Sequence, residues 1–540
     1  MFSLLGVFDS KPDHPMFDAR QAKKMLGNLP QNDAFQALSD VTAWLISVKD
    51  TAGFRPEIRA EIIMLLDEIG LPFYEELLLL YIGKPHVHSF KGKQLWQGIH
   101  DFKRMVADAY SVCIEEYQLV EKPAASFKQN IPTLCARLMR ALSEQVQLNL
   151  MRYLEPDQLI WVHLCNCYTF VITHQLGDTT LDVYPKPGNK ATPHQEFVRT
   201  LMLYIASPAT LAPDQIAACY HVTGLLEATF DCKTIADAEC THWIDLASPA
   251  APKRVSNRTQ STQTTRFLGA SRAVSKVESV LKFQEQAISH KEQRGKNEFT
   301  PDGKLTLLKH LQLYWGKRQP GRSQDRQDTV STIEVVHGLY AICDRVTGIE
   351  QESLVNLPTA KAAKEVSHIK LSSNEVTAAP EVWIVFNASE NGVGGVIPKA
   401  TGAWVKVGDL CAVKLEDSQI WWVGMVRRLK TGKEGDTQVG IEILAKKPLA
   451  VWLRIPDRNT GKGFEWEVGV ETSVRKSKPA ILLPDANNSY ANATVLMESG
   501  SFAANEVYEL KMGKRSLVTL TGLLEEGSDY ERLSFALSAP

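Results

Sequence analysis

Two groups of residues in the C-terminal half have the types and the spacing needed to bind a planar anionic ligand. The first is Arg322-Ser-Gln-Asp-Arg326, which follows Arg318, and the second is Asn387-Ala-Ser-Glu-Asn-Gly392, which precedes Gly394. A guanidinium presents a planar fork of donors that bridges phosphate oxygens and also matches the O6/N7 edge of guanine. Asparagine and serine side chains can hydrogen-bond a base or a phosphate, and glycine lets a ligand approach the backbone closely. The pattern therefore favours a guanine nucleotide site.

The charge distribution places this site in a locally basic segment of a nearly neutral chain. Lysine and arginine number 60 and aspartate and glutamate 62, which gives a net charge of −2. Between residues 294 and 326, however, eight basic residues face three acidic ones, so this stretch alone carries +5. A balanced composition argues against a partner that is a nucleic acid polymer, whereas a basic segment can meet a small anion.

Three Cys/His fragments could suggest metal-dependent catalysis. They are 163–167, which reads His-Leu-Cys-Asn-Cys, 219–221, which reads Cys-Tyr-His, and 240–242, which reads Cys-Thr-His. A zinc site needs paired ligand clusters, and a Cys-x-Cys on a helix points its thiols to different faces. We therefore predict buried cysteines and histidines, no metal, no cofactor and no catalytic residue. An enzyme seated in the helical half remains a rival hypothesis.

The nine scattered cysteines are typical of reduced thiols in the cytoplasm rather than of a disulfide framework. The most apolar long stretch, 159–176, contains His163, Asn166 and His174. A buried core helix explains such a stretch better than a membrane span, so no transmembrane segment is predicted.

Periodicity predicts a multidomain α plus β protein. Residues 1–247 repeat apolar side chains at helical spacing and form an all-α bundle or array of helical hairpins. Residues 248–315 read as a linker followed by helices, and the period changes to 2 after residue 319. A β-barrel is predicted over 316–445, opened by a strand at 330–342 and interrupted by an insertion at about 346–379. A further small β-rich domain is predicted over 446–540.

Taken together, these residues resemble the signature of the PilZ family, an Arg-x-x-x-Arg segment followed after a strand by Asp/Asn-x-Ser-x-x-Gly. Arg322 and Arg326 match the first part. Asn387, Ser389 and Gly392 match the second. The resemblance implies a six-stranded β-barrel that binds cyclic di-GMP through these five residues, with Arg318 and Gly394 as additional candidates.

The resemblance implies a bacterial cytoplasmic signalling receptor in which cyclic di-GMP at the barrel changes the state of an attached helical domain. The helical domain would then act on a protein partner. Two alternatives differ in mechanism. One is a degenerate PilZ-like adaptor or scaffold that keeps the barrel and binds no nucleotide, and the other is the enzyme described above.

Overall fold

The protein is described here by a computed structural model. It describes residues 12–83, 90–185, 190–288, 301–317, 327–354, 379–389, 391–398, 401–402, 404–416, 418–432, 436–455, 477–485, 490, 492–503, 505–512, 514–527 and 529–538. The chain divides into two units, Met1–Gly321 and Arg322–Pro540. Each unit is described by itself.

The first unit is built mainly from helices, as predicted. Its helices are α1 (Ala19–Leu26), α2 (Ala34–Asp50), α3 (Pro56–Ile82), α4 (Phe90–Leu119), α5 (Ala125–Met151), α6 (Gln158–Thr173), α7 (Pro193–Ile205), α8 (Pro213–Leu225), α9 (Ser271–Ile288) and α10 (Pro301–Trp315), with short 3-10 turns at Pro208–Thr210 and Glu227–Thr229. Polar caps explain several starts. The Asp33 carboxylate accepts from the Gln36 amide, and Thr192 and Gln195 form a reciprocal capping box at α7.

Helix α5 is the axis of this bundle. Its residues from Leu134 to Met151 are buried on every side, including charged ones. Arg140 forms a buried ion pair with Glu196 on α7, and the Arg137 Nε donates to the Val183 carbonyl over 2.6 Å. These charges are tolerated inside because they are paired.

Short strands supplement the helices in the first unit. They are β1 (Leu181–Asp182), β2 (Lys190–Ala191), β3 (Asp231–Lys233), β4 (Cys240–Asp245), β5 (Lys253–Arg254) and β6 (Thr265–Gly269). The last four form an antiparallel sheet in the order β3-β6-β4-β5. The segment predicted as a linker from residue 248 thus begins between two sheet strands. Strands of two to six residues are too short for alternation to reveal them.

The second unit contains the predicted six-stranded barrel. Its strands are β7 (Gln327–His337), β8 (Glu381–Ser389), β9 (Gly392–Ile397), β10 (Leu410–Leu415), β11 (Trp422–Thr431) and β12 (Thr437–Ala445). All neighbours are antiparallel in the order β10-β11-β12-β9-β8-β7, and the pairing of β7 with β10 closes the barrel. Inward-facing side chains such as Trp383 and Val385 are fully buried and fill its interior.

The prediction of one strand over 330–342 was wrong at its end. Strand β7 ends at His337, and a helix, α11 (Leu339–Leu354), follows and occupies the start of the predicted insertion. Gly338 has φ of +82°, a left-handed conformation that breaks the strand. Buried apolar side chains then recur at helical spacing, at Leu339, Ile342, Cys343 and Val346.

The additional β-domain is a second closed barrel. Its strands are β13 (Leu449–Arg454), β14 (Ser477–Leu483), β15 (Thr494–Glu498), β16 (Val507–Met512), β17 (Lys514–Glu526) and β18 (Tyr530–Ser538). Its order is β13-β14-β15-β18-β17-β16, closed by the pairing of β13 with β16. The two barrels have the same connectivity. Around each barrel, the strands that come first, second and third in the chain are followed by the sixth, the fifth and the fourth. In both, the pairing of the fifth strand with the sixth also contains two register shifts.

Within the second unit, helix α11 and a shared apolar cluster join the two barrels. Side chains of α11 pack with Met425 of the first barrel and with Ile481 and Tyr530 of the second. The fully buried Tyr530 hydroxyl donates to the Met425 sulfur over 2.9 Å. Across the whole described part of the chain, no helix has the length and apolarity that a membrane span requires.

Candidate ligand-binding face of the first barrel

A β-bulge sets the orientation of Asn387. Strands β8 and β9 pair Val385 with Gly395 and then Asn387 with Gly394, so Phe386 is the extra residue. A bulge inserts one residue and thereby moves every following side chain to the other face of the strand. Asn387 and Ser389 consequently lie on the outer face of the barrel, whereas Val385 on the near side of the bulge is buried inside.

The Asn387 side chain lies directly over Gly394. A Cβ atom at Gly394 would stand 2.3 Å from the Asn387 Oδ1 and 3.0 Å from its Cγ. Only glycine fits beneath this amide, so the missing side chain of Gly394 makes room for Asn387. Asn387 is 8% exposed, and its Oδ1 has no hydrogen-bond partner among the described residues. An orphaned buried amide oxygen is costly and offers an acceptor to a ligand.

The remaining two residues of the motif close the β8–β9 hairpin. Ser389 pairs with Gly392, and its hydroxyl donates to the Gly392 carbonyl over 3.3 Å. A Cβ at Gly392 would lie 3.3 Å from the Ile441 carbonyl oxygen. The three motif residues Asn387, Ser389 and Gly392 therefore lie together on the outer face of this hairpin.

The predicted arginines Arg318, Arg322 and Arg326 lie outside the described residues. The backbone register nevertheless indicates where their segment joins the barrel. Gln327 is the first residue of β7, and it pairs with Ala388, between Asn387 and Ser389. Because Arg326 is bonded to Gln327, the chain enters the barrel beside the asparagine motif.

The row of residues that contains Asn387 continues across two further strands. Gly394 pairs with Gly440 on β12, and Gly440 pairs with Arg428 on β11. Residues directly opposite each other in a sheet share a face, so the four side-chain positions form one line on the outer surface. We call Asn387, Gly394, Gly440 and Arg428 the glycine row. The sequence analysis missed Gly440 and Arg428, because their alignment depends on bulges in β8 and β11 that no local pattern indicates.

The neighbouring row carries an ion-pair network. Glu442 pairs across the sheet with Gly392, and its carboxylate is bound by Arg427, whose guanidinium also contacts Glu525 of the second barrel over 2.9 Å. Burial lowers the pKa of Arg427, but the Glu525 and Glu442 carboxylates outweigh it and raise that pKa above its ordinary value. The Glu442 charge is therefore balanced by Arg427 beside the motif.

The Cys/His fragments of the first unit lie in its core and sheet. Cys165, Cys167 and Cys219 are buried, and burial raises the pKa of the Cys165 and Cys219 thiols to about 12. Burial, together with nearby Arg254, lowers the pKa of His242 to about 4. In the part of the chain that the structure describes, no three His, Cys, Asp or Glu side chains are grouped as metal ligands would be.

Comparison with known protein families gives two matches. The profile described as the N-terminal domain of the cyclic-di-GMP receptor FimW matches residues 20–234. The profile described as the middle PilZ domain of the same receptor matches residues 349–448, which includes the glycine row but neither β7 nor the arginine segment. No curated protein matches the chain. The two matches have the same order as the helical unit and the first barrel, and together they cover more than half of the 540 residues. The chain therefore belongs to the cyclic-di-GMP receptor FimW family and carries a PilZ domain in its middle part.

Proposed function

We propose that this protein is a cyclic di-GMP receptor that binds its ligand on the outer face of the first barrel. Arg322, Arg326, Asn387, Ser389 and Gly392 form the site, with Arg318 and Gly394 beside them. The arginines grip the phosphates and guanine edges, and the Asn387 amide and Ser389 hydroxyl bind the ligand from the barrel surface. No catalytic step is part of this proposal.

The observation that carries the proposal is the orphaned Asn387 amide above Gly394 at the point where the chain enters β7. The Asn387 Oδ1 has no partner among the described residues, although Asn387 is more than nine-tenths buried. The register between Gln327 and Ala388 attaches the arginine segment within one residue of this amide. This register supports a single site built from two motifs that are separated by 60 residues in the sequence.

The same segment offers a route for the signal. The arginines lie between the end of α10 at Trp315 and the start of β7 at Gln327, and the division between the two units falls at Gly321. A ligand that binds Arg322 and Arg326 fixes part of the chain that joins the units. Once this part of the chain is fixed, fewer arrangements of the two units are possible. The ligand shifts the population toward the arrangements to which it binds more tightly.

We further propose that the helical unit transmits this change to a protein partner and that the receptor acts in the cytoplasm. All nine cysteines are free thiols, which supports a reducing compartment.

Calorimetric titration of the full chain with cyclic di-GMP tests the proposal. The wild type should bind, and the double variant Arg322→Ala/Arg326→Ala should bind at least roughly 100-fold more weakly, because each hydrogen-bonded charge contributes about 1.5–3 kcal/mol. The variant Lys23→Ala/Lys24→Ala removes the same charge from two exposed side chains on α1 and serves as the matched control.

The proposal fails if the wild type releases no heat with cyclic di-GMP and shows no binding by a second method such as equilibrium dialysis. It also fails if the arginine variant and the lysine control bind equally well. Far-ultraviolet circular dichroism of each variant verifies that the fold is retained, so that a loss of binding is not a loss of structure.

A further inference from the structure

The glycine row ends on an arginine that the family motif does not include. Arg428 lies on β11, two strands away from the Asn387 hairpin, and its side chain is exposed on the outer face. Adjacent strands are about 4.8 Å apart, so three steps across the sheet separate Asn387 and Arg428 by roughly 14 Å. The row between them consists of Gly394 and Gly440 alone.

Of the two glycines in this row, Gly394 lies beneath the Asn387 amide and Gly440 leaves its backbone uncovered. The position that a Gly394 Cβ would take is filled by the Asn387 amide. Among the described residues, a Gly440 Cβ would meet only the Arg428 Cβ at 3.5 Å and the Arg428 carbonyl oxygen at 4.0 Å. The surface above Gly440 is therefore open, bordered by a hydrogen-bonding amide on one side and by an arginine stem on the other.

The neighbouring arginines Arg427 and Arg428 differ in their ion pairs. Arg427 is held by Glu442 and Glu525. Arg428, by contrast, takes part in no ion pair and no hydrogen bond of its side chain among the residues that the structure describes. An exposed guanidinium beside an uncovered stretch of backbone is suited to bind a phosphate with two parallel hydrogen bonds.

We propose that the cyclic di-GMP site extends along the glycine row and that Arg428 binds a phosphate of the ligand at its far end. A purine held by Asn387 lies flat over Gly440, beside the amide, and its phosphodiester reaches the Arg428 guanidinium. This inference rests on the proposed function and adds to it a ligand-contacting residue from β11, outside the two sequence motifs.

Calorimetry with cyclic di-GMP on the full chain tests this extension. Arg428→Ala should weaken binding roughly 10- to 100-fold, because it removes hydrogen bonds to a charged group. Arg428→Lys should recover part of the affinity, since an ammonium keeps the charge but lacks the bidentate fork of the guanidinium. The exposed Arg20→Ala on α1 is the matched control and should bind like the wild type.

A second variant tests the uncovered backbone independently of the charge. Gly440→Val places a branched side chain over the row while Arg428 is retained, and it should weaken binding at least as much as Arg428→Ala does. The inference is overturned if Arg428→Ala or Gly440→Val binds within twofold of the wild type, or if Arg428→Lys is no better than Arg428→Ala. Failure of the wild type to bind would instead overturn the proposed function.

Discussion

The substitution Gly394→Ala provides the sharpest test of how the barrel orients Asn387. The new Cβ would stand 2.3 Å from the Asn387 Oδ1 and 3.2 Å from its Nδ2, so the amide must leave its position. The backbone of Gly394 is not in the left-handed region, and alanine is therefore compatible with its conformation. An asparagine that pairs with a purine edge contributes about 1–3 kcal/mol, so the Kd for cyclic di-GMP should rise about 5- to 150-fold.

A double-mutant cycle with Asn387→Ala separates this indirect effect from a direct one. If Gly394→Ala acts by displacing the amide, it should add less than about 0.5 kcal/mol once the amide has been removed. Titration calorimetry of the four proteins gives the coupling free energy, and thermal unfolding of each verifies that the barrel is intact. Gly177→Ala, where the nearest atom would be 3.8 Å away, is the control for glycine replacement. Unchanged affinity in Gly394→Ala, or additive losses in the double variant, would refute the reasoning.

Three further predictions concern a buried carboxyl, the cluster shared by the two barrels and the most accessible thiol. Burial and, secondarily, Glu196 raise the pKa of Glu227 to about 7, above its ordinary value of 4.5. The folded state then binds more protons than the unfolded state between pH 4.5 and 7, and stability falls as the pH rises through this window. Glu227→Gln should thus have a higher free energy of unfolding than the wild type at pH 8 but not at pH 5. Urea unfolding followed by the circular dichroism signal of the helices measures this, and an equal difference in free energy at both pH values contradicts it. Tyr530→Ala should lower the free energy of unfolding of the barrels by about 3–5 kcal/mol, because it leaves a cavity in their shared cluster. Tyr530→Phe, which loses only the hydrogen bond to Met425, should cost about 0.5–1.5 kcal/mol in the same denaturant assay, and equal losses in the two variants would show that packing is not the cause. Finally, Cys240 should be the first cysteine to react with a thiol reagent at pH 8, because the more deeply buried thiols, such as that of Cys411, have a pKa that burial raises further. The initial rate of thiol modification should therefore fall in the folded Cys240→Ser variant, and an unchanged rate would disprove this.

The candidate site residues that the sequence indicates depend on local patterns. Asn387, Ser389 and Gly392 follow one another on a single hairpin, and alternation of apolar residues indicates the strands that carry them. The sequence also predicted the helical unit, the six-stranded barrel and an additional β-domain. These elements are long or strongly periodic, which makes them readable without tertiary information.

The parts that the sequence analysis missed depend on register and on long-range packing. The bulge at Phe386 reverses the faces of Asn387 and Ser389, and a shift on β11 places Arg428 opposite Gly440. Helix α11 was hidden because its residues 339–346 are apolar enough to continue a strand, and only Gly338 separates the two elements. The equal connectivity of the two barrels likewise appears only when strand pairing is known, because the second barrel shares no obvious motif with the first.

The most direct test of the central claim is a crystal structure of the full chain with cyclic di-GMP bound. We expect the nucleotide on the outer face of the first barrel, with a guanine over Gly440 within hydrogen-bond distance of Asn387. Arg322 and Arg326 should contact it from the segment that precedes β7, and Arg428 should contact a phosphate. A nucleotide bound elsewhere, or one that touches neither Asn387 nor the two arginines, would contradict the account.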